Sequence, residues 1–334
     1  MSRIFSLFLF LTLSIVFPGI ALAQDCTQAA LAQKPGVLTA SNLSGSTPGV
    51  KPSDLLREKA VLMSVHKMVA AAYDPKGVEG NYSFHFRGIT GAPSQDKIAD
   101  TFGYSIYLLK YICDKENSDR SAFRVRTDSP TVLRIDANTV GRLSIYASDI
   151  SDNTFRGYLL MKNRPKDLGG FYFLGDEVTG DSRKKQKEYT WLITYDNTLP
   201  FSYLSQKEYL LLTKARLQKS IVENGNTNGF YDEYVNRVNE YLKKPESELS
   251  VPAIIDRASE EKFTGFLLEG SQGSYFAIKH NPAYYRRGLP KSVPQYFTVV
   301  FSVWEGDEVP VFVDNMDSIK KAVDFRALRN LLGK

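Results

Sequence analysis

Between residues 78 and 196 the chain is a succession of short strand-like apolar runs at spacings that read as leaving no room for crossover helices. NYSFHF places Tyr82, Phe84 and Phe86 at alternate positions, and TFGYSIYLLKYIC does the same with Phe102, Tyr104, Ile106 and Leu108. AFRVR, TVLRI, RLSIY, YLLMK, FYFL and YTWLITY follow at short intervals. Alternation with period two marks strands that bury one face. Parallel neighbours need a crossover of roughly a dozen residues or more, so runs this closely spaced pair mostly antiparallel. The region reads as a meander or a partly closed barrel.

Helical patterns flank it. SDLLREKAVLMSVHKMVAAAY predicts a helix with Ser53 as N-cap and Leu55, Leu56, Leu62, Met63 and Val69 as apolar positions, stopped by Pro75 and Gly77. Beyond residue 199 the period changes. Ser205 and Glu208 form an S-x-x-E capping box ahead of YLLLTKARLQKSIVEN, with Leu211, Ala215 and Val222 on one face. NGNTNG breaks that helix, and the polar FYDEYVNRVNEYLKK follows. SYFAIKH and YFTVVFSVW are further strands, and Asp314 and Asp324 each open a short helix. The expected fold is α+β: an antiparallel sheet-rich domain with one N-terminal helix over residues 53–198, then a mixed α+β domain over residues 199–334.

The first 23 residues have the order of a secretory signal. MSR supplies a basic residue, IFSLFLFLTLSIVF an apolar run, and Ala21 and Ala23 an A-x-A cleavage site. Cleavage near Ala23 implies a periplasmic or secreted protein, and no later run of about eighteen apolar residues provides a transmembrane segment. Residues 24–52, rich in Ser, Thr, Gly, Pro and Ala, read as a flexible lead-in. The only cysteines are Cys26 and Cys113. In an oxidising compartment they form either one bridge or two unrelated thiols, and two cysteines alone do not decide between these.

Several chemistries have no footing. There are 3 histidines, His66, His85 and His280, far apart in sequence, and neither H-E-x-x-H nor C-x-x-C spacing occurs. No metal site or cofactor loop is expected. Gly180, Asp181 and Ser182 resemble the opening block of the GDSL-type hydrolases in three letters, but the Asp-x-x-His block of that family is absent. The tripeptide reads instead as the tip of a charged hairpin. Glu305, Asp307 and Glu308, and likewise Asp176 with Glu177, read as solvated turn charges. The net charge of +5 is too mild for a nucleic-acid partner.

NPAYYRRGLPKSVPQYF, residues 281–297, stands apart. It holds three prolines, three tyrosines, two arginines and a lysine, and from Gly270 to Trp304 no acidic residue occurs. Pro282, Pro290 and Pro294 keep the segment out of a sheet. As a connecting loop it needs no ligand. As a binding loop, Arg286, Arg287 and Lys291 would hold an anion, with Tyr284 and Tyr285 stacking on a sugar ring. The expected function is therefore a non-catalytic binding protein of the cell envelope whose partner is an anionic envelope component, a glycan or a protein. The alternatives are an envelope hydrolase with a carboxylate or serine nucleophile, and an assembly scaffold using the helices between residues 205 and 244.

Overall fold

The computed structural model describes residues 26–42, 50–87, 99–114, 123–125, 132–139, 158–179, 185–195, 198–259, 262–305 and 310–334. The expected leader over residues 1–23, the tripeptide 180–182 and the side chains of Glu305, Asp307 and Glu308 lie outside them.

In chain order the elements are α1 (Gln28–Gln33), β1 (Val37–Asn42), α2 (Pro52–Ala72), β2 (Val78–Arg87), β3 (Thr101–Cys113), β4 (Phe123–Val125), β5 (Val132–Ala137) and β6 (Leu159–Met161). There follow β7 (Lys166–Asp167), β8 (Tyr172–Thr179), β9 (Lys185–Ile193), β10 (Phe201–Tyr203), α3 (Gln206–Asn224), α4 (Asp232–Leu242) and α5 (Glu246–Leu249). The chain continues through β11 (Ile254–Asp256), β12 (Ser274–His280), β13 (Phe297–Glu305), α6 (Pro310–Ala322) and α7 (Phe325–Leu331). The fold is α+β. A nine-stranded sheet has the order β1-β2-β3-β5-β13-β9-β8-β7, with β4 beside β3, and a four-stranded sheet gathers β10, β11 and β6 around β12. Among the described residues neither sheet closes, so the barrel form does not occur.

Strand alternation stacks these elements in four layers. One face of the large sheet, with Phe102, Tyr104, Ile106, Ile135, Val299 and Phe301, packs against Leu62 and Val65 of α2, Phe312 and Met316 of α6, and Leu328 of α7. Its other face meets the small sheet: Tyr172, Leu174 and Leu192 pack with Leu159, Met161, Phe276 and Ile278. The intervening residues of the same short strands, Leu160, Tyr275 and Ala277, point the opposite way into Tyr209 and Leu210 of α3, Val238 of α4 and Leu249 of α5. The small sheet is thus apolar on both faces, as a strand layer buried between two others must be.

The structure corrects several expectations. β1 runs parallel to β2, so the large sheet is mixed. The crossover is α2, which lies within the segment joining the two strands. α1 and β1 occupy the stretch read as a flexible lead-in, where Thr27 caps α1 by accepting from the amide of Ala30. α2 begins two residues earlier than expected, with Lys51 at the cap in place of Ser53 and Pro52 in the first turn, where a missing N–H loses no helical bond. In α3 the buried stripe is Tyr209, Leu210, Thr213 and Leu217, whereas Leu211 and Val222 are exposed. α6 starts at Pro310, not Asp314. Nor do the sheets follow the division at residue 198: β13 lies between β5 and β9 in the large sheet, and β6 pairs with β12 in the small one.

Cys26 and Cys113 form a disulfide. It joins the residue before the Thr27 cap of α1 to the end of β3, and the Gln28 side chain donates to the carbonyl of Tyr111 (3.0 Å). No described helix is long and apolar enough to cross a membrane.

Candidate functional site

Residues 281–297 link the last strand of the small sheet to the central strand of the large one, and their polar groups are tied down along the whole length. Tyr284 and Tyr285 are buried. Their rings lie edge-on to each other and to Tyr296, and Tyr284 also meets Tyr195. The Tyr284 hydroxyl donates to the carbonyl of Gln295 (2.6 Å), while Tyr285 shares a 3.0 Å hydrogen bond with Nδ1 of His280. Burial raises the pKa of both phenols far above the usual range, so they stay neutral donors. Their faces are filled by neighbouring rings instead of opening to solvent.

The rest of this strap is fastened to four other places. Asp100 donates its amide to the carbonyl of Lys291. Ser292 accepts from Arg57 and donates to Asp54 of α2, both at 3.0 Å. Gly333 donates to the carbonyl of Pro294. Gln295 accepts from the Tyr195 hydroxyl and from the amide of Arg286. Of the expected site residues, Arg286, Arg287 and Lys291 are exposed, and the guanidinium of Arg286 lies 3.9 Å from the Tyr195 ring centre. The strap therefore brings together three surface cations without an open aromatic face.

Two polar clusters lie elsewhere. His85 Nε2 is 2.7 Å from Oδ1 of the buried Asp136, across β3. Gly103 makes this approach feasible, because a Cβ there would sit 2.3 Å from both atoms. Among the described residues no hydroxyl or thiol contacts the imidazole. The second cluster surrounds Glu58 of α2, which is fully buried beside the Asp100 carboxyl. Burial, then the Asp100 and Asp54 carboxylates, push its pKa from 4.5 up to about 8. No group of three or more described His, Cys, Asp or Glu residues is placed to hold a metal ion.

Glu58 makes stability pH-dependent. Its folded pKa lies above the unfolded value, so between pH 4.5 and about 8 the folded chain holds more protons than the unfolded one. Stability should fall as pH rises through that window, by at most about 1.4 kcal/mol per pH unit from this group. Urea unfolding of wild type and Glu58→Gln at pH 5 and pH 8 checks this. The glutamine variant should show the shallower dependence, and equal dependence would refute the assignment.

An open, largely aromatic cleft lies on the large sheet. α6 and α7 meet at Val323 and Asp324, and beyond that corner a cleft of about 790 Å³ exposes the face of β8 and β9. Period-two alternation directs Tyr189 and Trp191 of β9 into it, while Thr190 and Leu192 point to the small sheet. Phe173 pairs across the strands with Trp191, with ring centres 5.0 Å apart. Trp191 lies 5.2 Å from Phe325 of α7, which in turn meets Phe171 at 5.5 Å. All five rings are only partly buried. Cations edge them: Lys320 at 4.8 Å and Lys187 at 5.3 Å sit over Tyr189, and Lys321 and Arg326 line the rim. Arg329 lies 4.3 Å over Phe171.

Sequence reading identified both strands but not this site. Its signal is the F-Y-F of residues 171–173 and the Y-T-W of residues 189–191, two aromatic alternations on adjacent strands. What hides it is that the same pattern is filled by helices elsewhere on the sheet. The chain matches no family model, no curated protein and no solved structure.

Proposed function

We propose that this chain is an exported, non-catalytic binding protein whose ligand is a glycan seated in the aromatic cleft between β8, β9 and the α6–α7 corner. The observation that carries the reading is the row formed by Phe173, Trp191 and Phe325, ring against ring, partly buried and lining an open cleft. Apolar surface of this kind normally disappears into a core or marks a contact site. Flat rings present stacking faces, and the apolar C–H face of a pyranose fits them while its hydroxyls remain in water. Among the described residues the only carboxylate lining the cleft is that of Asp324, and it accepts from the amides of Arg326 and Ala327 as the cap of α7. That leaves binding, not bond cleavage, as the reading the cleft supports. The signal-like N-terminus and the Cys26–Cys113 disulfide support export.

The experiment is a binding screen of the full chain against oligosaccharides by calorimetry, repeated with Trp191→Ala. Central aromatic anchors contribute about 2 kcal/mol or more when truncated, so affinity should fall on the order of 30-fold. Circular dichroism establishes that the variant is folded. Unchanged affinity in the folded variant would exclude the cleft as the site.

A further inference from the structure

We infer that the cleft is built for an acidic polysaccharide, a chain of uronate sugars, and not for a neutral glycan. This inference rests on the cleft being the binding site and adds the charge of its ligand.

The argument is the local balance of charge. The carboxylates near the cleft are already engaged: Asp317 with Lys320 at 3.1 Å, Asp176 with Lys187 at 3.3 Å, and Asp324 with two backbone amides. Lys321 and Arg326 flank the α6–α7 corner and make no ion pair with a described residue. Behind the Phe171 wall, Arg329 holds its guanidinium against the ring with Nε and Nη2 buried and without an acceptor among the described residues. Among the described residues, positive charge beside the cleft therefore exceeds what neighbouring carboxylates neutralise, and an anion in the cleft would balance it.

Geometry narrows the anion to a sugar acid. In a uronate the carboxylate lies at the edge of the ring, roughly in its plane, so a pyranose lying flat on Trp191 points its charge sideways. The cleft has its rings on the floor and its cations on the rim, which matches that arrangement. An acidic peptide would supply carboxylates without a rigid flat face for the row of rings. Guanidinium and ammonium groups at the rim are also positioned for a chain passing across the open cleft, since exposed cations favour anionic polymers at low salt.

The test uses the full chain with oligogalacturonate, the same oligomer fully methyl-esterified, and polyglutamate, by calorimetry at low and moderate salt. The free acid should bind at least ten-fold more tightly than the ester, with a preference that shrinks as salt rises. Lys321→Ala/Arg326→Ala should abolish that preference, and Trp191→Ala should weaken both oligomers alike. If the charge-removing pair proves poorly folded, Lys321→Gln/Arg326→Gln serves in its place. Equal affinity for acid and ester overturns the inference and leaves the glycan cleft standing. Failure of both oligomers to bind overturns the cleft as well. Polyglutamate binding as tightly as oligogalacturonate overturns the choice of a sugar chain.

Discussion

Cys26→Ser/Cys113→Ser is expected to lower the unfolding free energy by about 4 to 5 kcal/mol, the loop-closure value for a cross-link spanning 87 residues. The tether matters because the elements it holds bury little. Leu31 is the one buried residue of α1. β1 is an edge strand, paired only through β2 and irregular between Ala40 and Asn42. Without the bond, α1 and β1 should separate before the rest of the sheet. Two measurements check this: the urea midpoint of the double variant, and hydrogen exchange of the amides over Val37–Asn42. Exchange there should quicken well before global unfolding, because locally weak units open on their own. An unchanged midpoint with full protection of β1 would show that packing alone holds the segment.

Asn138→Ala should destabilise by roughly 3 to 5 kcal/mol, although the residue is neither large nor charged. Asn138 follows β5 with φ at 58°, a left-handed conformation that disfavours alanine by about 1 to 2 kcal/mol. Its amide nitrogen donates to the carbonyls of Asp100 (2.9 Å) and Val293 (3.2 Å), and its oxygen accepts from the backbone of Gln295 (2.7 Å). All these groups are buried, and removing the side chain strands its partners at about 1 to 3 kcal/mol each where water cannot enter. Asn138→Gly separates the two effects, since glycine tolerates the backbone angle but makes none of the side-chain bonds. The glycine variant should recover only the conformational part. Equal stability of wild type and Asn138→Gly in thermal unfolding would mean that the Asn138 side-chain bonds do not help to hold the strap.

The strap also shows how far sequence reading reaches. Its prolines, its length and its exclusion from both sheets were legible, because fixed φ and a missing donor act locally. Its partners were not. Asn138, Asp54 and Tyr195 are tens to hundreds of residues away, and only the completed fold brings them to Gln295, Ser292 and Tyr284 respectively. The capping box of Ser205 and Glu208 was read correctly for the same reason that the prolines were: every atom involved lies within one turn. The face of α3 was misread because Leu211 and Val222 are as apolar as Leu210 and Leu217, and the choice between them is made by β12 and α5. In the same way, alternation revealed that Trp191 belongs to a strand. Which part of the sheet the helices leave bare depends on the corner at Val323 and Asp324, a tertiary fact.

The interleaving of the large sheet governs the timing of folding. β5 and β9 both lie against β13, which enters the chain more than a hundred residues after either began. Until residues 297–305 have been synthesised, β1-β2-β3-β5 and β9-β8-β7 are separate fragments, each with a bare inner edge and an unfilled apolar face. Pairings of such long range are slow to form, which delays completion of the native sheet while the chain emerges. The strand that locks the architecture is thus among the last elements to arrive.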